Sequence, residues 1–131
     1  MSEETRPPVT APRTERSGAR HAGRWIAFLV CVVVQTLVLY LPRVPAPSAP
    51  HGMDKLVHAA VFAAVAWTGL RAGVPTRPLM LALLANAVVS EVYQSLFLPH
   101  RSGDPLDATA DAVGVLVVWL LSRGRRPLAS G

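Results

Sequence analysis

Four stretches of the chain are almost continuously apolar, and the polar residues crowd between and outside them. The first covers residues 25–41, WIAFLVCVVVQTLVLYL, with no charge in 17 residues. As a helix this is roughly 25 Å, at the short end for a membrane span. Its Val and Ile content would also suit a strand, but a lone strand in lipid leaves its backbone unpaired, so a helix is expected. Trp25 and Tyr40 stand at its two ends, where amphipathic rings favour the headgroup region. Pro42, Pro45, Pro47 and Pro50 then end the helix and keep the next segment extended. Those prolines also surround every candidate cleavage site, so the segment reads as an anchor and not as a removed signal peptide.

The second stretch covers residues 54–72 and is ended by Gly73, Val74 and Pro75. The third covers 79–98 and follows Pro78, a residue suited to the first turn of a helix. The fourth covers 106–122 and runs into Arg123, Arg125 and Arg126. The pattern predicts an all-α, four-helix transmembrane bundle over residues 25–122. A Pro- and Arg-rich tail (1–24) and a short basic tail (123–131) flank it. The first tail has almost no large apolar residue, so it is expected to be disordered.

Charge refines this picture. The chain carries 13 Lys and Arg against 8 Asp and Glu, for a net charge of +5. With four spans, the tails and the middle loop, with Arg71 and Arg77, share one side. Ten of the 13 basic residues fall there; Arg43, Lys55 and Arg101 fall on the other. Basic residues near membrane ends mark the cytoplasmic side, so both termini are expected there. The basic excess is therefore a topology signal. A nucleic-acid interface would want a basic face with a recognisable module, and none is present. Cys31, the one cysteine, allows no intrachain disulfide and no cysteine-based metal framework.

Ionisable residues inside spans are costly and mark functional interiors. Here they form three groups. Asp54, Lys55 and His58 open the second helix. Glu91 and Gln94 lie late in the third. Asp107 and Asp111 open the fourth. In an up-and-down bundle all three groups reach the same, external end. Asp54/His58 and Asp107/Asp111 are spaced i,i+4, and Glu91, Gln94 and Ser95 i,i+3,i+4, so each helix offers one polar stripe. Glu91 lies seven residues before Leu98, roughly 10 Å below the helix end, and needs a cation or a proton. Lys55, His58 and Arg101 are the available partners on that side.

Plainer roles compete for the same residues. Asp54 and Asp107 can act as helix N-terminal acids. His58 can be a packing hydrogen bonder. Asn86 is expected to bond a neighbouring helix, and Ala59, Ala60, Ala63, Ala64 and Gly114 to let helices approach closely. Trp67 and Trp119 read as interface or packing residues. Carboxylates and imidazole together can hold a divalent ion, but ion pairing is the commoner origin of such clusters. No metal and no cofactor is expected. There is no P-loop, dinucleotide fingerprint, H-E-x-x-H or G-x-S-x-G.

The same residues carry a family resemblance. Asp54-Lys55-x-x-His58 followed by Phe62 resembles the opening of VanZ-like membrane proteins. Ser90-Glu91-x-x-Gln94, Pro99-x-Arg101 and Asp107-x-x-x-Asp111-x-x-Gly114 resemble the remainder of that pattern, in the same order. The family commonly has Asn where Asp111 stands. The resemblance implies a bacterial cell-envelope protein of the kind associated with teicoplanin resistance, and the convergence of the polar groups near the outer surface suggests a polar pocket open to the outside. Glu91 and His58 would be acid–base groups. Asp54, Lys55, Gln94, Arg101, Asp107 and Asp111 would bind an envelope lipid, wall precursor or glycopeptide. Two other functions fit the residues: a small proton-coupled transporter using Glu91, or a structural protein whose polar layer fixes the helix packing.

Overall fold

The computed structural model describes residues 13–42, 52–98 and 104–124. They form four α-helices: α1 (Arg13–Tyr40), α2 (Met53–Ala72), α3 (Thr76–Phe97) and α4 (Pro105–Arg123). The architecture is an all-α bundle, as expected. Helix α2 is its centre, packing most extensively on α4 and then on α1, while α3 packs chiefly on α4.

Local chemistry sets the ends. α2 stops in a Schellman turn, with Gly73 at φ 94°, its N–H donating to the Leu70 carbonyl and the Val74 N–H donating to that of Gly69. A left-handed residue there favours glycine. α3 follows after three residues, and Pro78 lies in its first turn, where no helical N–H is needed. At α4 the cap is Asp104, whose Oδ1 accepts from the Leu106 N–H at 2.9 Å, with Pro105 in the first helical position. Asp107 therefore does not cap α4. Asp54 does not cap α2 either, because Gly52 occupies that position.

α1 begins well before the apolar block. Residues 13–24, expected as part of a disordered tail, form its first turns. A helix already nucleated by the apolar segment extends at little further cost through Arg, Ala and Glu. Residues 1–12 and 125–131 lie outside the described residues.

Three helices are long and apolar enough to cross a membrane: the Ser17–Tyr40 part of α1, Thr76–Phe97 and Pro105–Arg123. α2, expected as a fourth, is not among them, because Asp54, Lys55 and His58 lower its apolar character at one end. Its central place gives those groups protein neighbours. The outer surface is a belt of exposed Ile26, Leu29, Val33, Leu81, Val92 and Leu116 with their neighbours, which a bilayer covers and water does not favour. The interior joins Leu39, Phe62, Val65, Leu83, Val115 and Val118.

Close backbone approach holds α2 against α4. A Cβ on Gly114 would stand 2.2 Å from the Ala59 carbonyl oxygen. Glycine is thus required where the two helices touch, the role the small residues suggested.

Candidate functional site

The helix ends segregate charge. At one end Arg20, Arg24 and Arg71 line one depression, and Arg77 and Arg123 another. Two of these guanidiniums lie over tryptophan rings: Arg71 over Trp67 at 5.3 Å and Arg123 over Trp119 at 3.6 Å. The opposite end gathers the start of α2, the end of α3 and the start of α4, and with them the carboxylates.

The outer layer of that end is an ion-pair fork. Lys55 Nζ donates to Asp104 Oδ2 at 2.7 Å and to Asp107 Oδ1 at 2.9 Å. Lys55 and Asp104 are partly exposed, whereas Asp107 is buried. The Lys55 bond and the Leu106 N–H hold the Asp104 carboxyl below the usual aspartate range. The folded state thus favours the ionised form. The stability it contributes is fully present above about pH 4, the unfolded value, and is lost as pH falls through the depressed folded value. Acid is therefore expected to loosen the α4 N-terminus first. Protection from amide exchange at Leu106 and Asp107, taken relative to the intrinsic rate at each pH, should fall below pH 4 in the wild type, and Asp104→Asn should show reduced protection already at pH 7.

The inner layer lies a turn deeper. His58 Nδ1 and Asp111 Oδ1 are 3.1 Å apart, and both side chains are fully buried. Glu91 is 8% exposed and approaches them from α3. One ligand-type atom from each of His58, Glu91 and Asp111 lies within 4.8 Å of those of the other two. Asp54, His58 and Asp107 form a second such group, so His58 belongs to both. His58 Nε2, both Glu91 Oε atoms and Asp111 Oδ2 are buried without a hydrogen-bond partner. Buried polar atoms in native proteins are normally paired, so four orphans in one place set this cluster apart. Among the described residues at this end, Lys55 is the one fixed cation, and it is already engaged.

Most residues singled out from sequence thus come together: Asp54, Lys55, His58, Glu91, Asp107 and Asp111. Gln94 is buried, but its Nε2 donates to the Leu39 carbonyl at 3.1 Å, tying α3 to α1. Arg101 lies outside the described residues. Asn86 accepts from the Tyr40 hydroxyl at 2.8 Å, a bond between helices as expected. Tyr40 is consequently half-buried and stacks edge-on with Tyr93, so it is more than a headgroup anchor. Asp104 was missed as the α4 cap and the partner of Lys55, outside the inner cluster. Its signal is the Asp-Pro pair before an apolar run, an N-cap followed by an N1 proline.

The arrangement can neutralise a positively charged group or pass a proton between a carboxylate and an imidazole at hydrogen-bond range. No family model matches the chain, and none of the curated proteins or solved structures compared with it is similar to it.

Proposed function

We propose that the chain is a VanZ-like integral membrane protein of the bacterial cell envelope, crossing the bilayer four times with both termini cytoplasmic. Its carboxylate–imidazole end would face outward and bind a polar group of an envelope molecule: a lipid headgroup, a lipid-linked wall precursor or a glycopeptide. The observation that carries this reading is Glu91, buried beside the His58–Asp111 pair with both carboxylate oxygens unpartnered. A carboxylate needed only for packing would have its partner within the bundle.

Two further points support it. Six residues of the motifs that suggested the family (Asp54, Lys55, His58, Glu91, Asp107 and Asp111) converge at one end of the bundle, although they come from three helices. The arginine-rich opposite end fits the cytoplasmic face, which leaves the acidic end outside. In this reading Glu91 and His58 are the acid–base pair, Asp107 and Asp111 orient them, and Lys55 and Arg101 meet anionic parts of the ligand.

The test is Glu91→Gln, which keeps size and removes the charge. Introduced into a strain lacking the wild-type chain, it is expected to leave membrane insertion intact and to abolish the chain's effect on sensitivity to envelope-directed agents. A variant that complements as well as wild type ends this reading.

A further inference from the structure

Glu91, His58 and Asp111 lie nine-tenths or more buried and supply ligand-type atoms within 4.8 Å of one another, while four of their polar atoms have no partner. We propose that these three residues bind a divalent transition-metal cation, of the manganese or zinc class. This deepens the envelope reading and rests on it only for what the site serves.

Charge is the first argument. Two carboxylates share the inner layer with one imidazole, and Lys55, the one fixed cation among the described residues at this end, is engaged by Asp104 and Asp107. Buried charge without compensation is strongly unfavourable. One divalent cation compensates both carboxylates at once and occupies the orphaned lone pairs.

Ligand chemistry is the second. Calcium and magnesium sites are built from oxygen alone, whereas an imidazole with two carboxylates suits manganese, iron or zinc. A thiolate-loving ion finds no sulfur here, since Cys31, the chain's one cysteine, lies about two turns before the end of α1.

Geometry is the third. Metal–ligand bonds of about 2.1 Å place tetrahedral ligands roughly 3.4 Å apart. Ligand-type atoms of His58, Glu91 and Asp111 lie within 4.8 Å of one another, so reaching that spacing asks each pair to approach by about 1.4 Å at most. The three ligands leave at least one coordination position open, as in metal sites that meet a substrate. One carboxylate oxygen each of Asp54 and Asp107 also lies within 4.8 Å of a ring nitrogen of the same histidine.

The experiment uses the full chain, purified in detergent, stripped with a chelator and placed in lipid nanodiscs. Manganese chloride or zinc chloride is added separately, excess ion is removed, and retained metal is measured. The wild type is expected to retain one ion per chain and to melt at a higher temperature with it. Glu91→Gln should lose at least tenfold in affinity and show no metal-dependent shift in melting. Asp104→Asn, outside the ligand set, should retain the ion.

No retained ion in the wild type, or equal affinity in Glu91→Gln, overturns the proposal. Loss of the ion in Asp104→Asn to the same degree as in Glu91→Gln also overturns it. Should Glu91→Gln not fold, the manganese-loaded wild type decides alone. Its pulsed electron paramagnetic resonance spectrum must show one directly bound imidazole nitrogen, and a spectrum without one overturns the assignment.

The two proposals fail separately. A retained ion with no envelope defect in Glu91→Gln removes the envelope reading and keeps the metal. An envelope defect without a retained ion does the reverse.

Discussion

Replacing Gly114 by leucine is expected to force α2 and α4 apart and to give the largest steric loss of stability in the chain. The obstacle is backbone, not a side chain that can turn aside: a Cβ would meet the Ala59 carbonyl oxygen at 2.2 Å, its carbonyl carbon at 3.0 Å and its Cα at 3.1 Å. Overpacking a core costs about 1–3 kcal/mol even where side chains can adjust. Here a whole helix must move, so about 3 kcal/mol or more is expected. The displacement also reaches the polar layer, because Ala59 follows His58 directly and Gly114 lies one turn beyond Asp111. Denaturant unfolding of the chain in detergent, followed by circular dichroism, measures the loss. Gly114→Ala should show a smaller loss of the same sign. Wild-type stability in both variants would mean that α2 and α4 are not held at this separation.

The second large effect is electrostatic. His58→Leu leaves the fully buried Asp111 carboxylate without its hydrogen-bond partner at 3.1 Å. Removing one member of a buried pair typically costs about 3–5 kcal/mol, most of it from the charge left behind. The control is Asp111→Asn, which keeps an oxygen able to accept from the imidazole and should cost about 1 kcal/mol or less. Combining the two separates charge from packing. If the His58→Leu loss comes from the stranded carboxylate, the double variant His58→Leu/Asp111→Asn is expected to recover most of the lost stability. If the double variant is as unstable as His58→Leu, cavity and packing account for the effect instead. The four unfolding curves together form a double-mutant cycle.

Much of this architecture is legible in the sequence, for identifiable reasons. Gly73-Val74-Pro75 marks a helix end because a left-handed glycine and a following proline each oppose continuation. The polar stripes are legible because i,i+4 spacing fixes a common face, and alternating helix direction brings three stripes to one end. Other features depend on geometry that spacing does not carry. Asp104 and Asp107 are both acids at the start of α4, and only the backbone conformation decides which one caps it. Asp107 is turned inward to Lys55 instead. Gln94 shares the stripe of Glu91, yet its amide reaches α1, because that face of α3 borders two neighbours. The helical start of α1 was hidden for another reason. Residues 13–24 have no apolar face, and their helix continues from the segment that follows them.

The ion pairs of the central helix also bear on how the chain assembles. Lys55 waits for Asp104, 49 residues later, and His58 for Asp111, 53 residues later. Both partners belong to the start of α4, which leaves the ribosome after α2. Until then α2 carries a lysine and a histidine whose counterparts do not yet exist, and its hold on α1 is chiefly apolar. α4 therefore completes the earlier α2, and a chain interrupted before residue 104 lacks the groups that bond the polar side chains of its own centre.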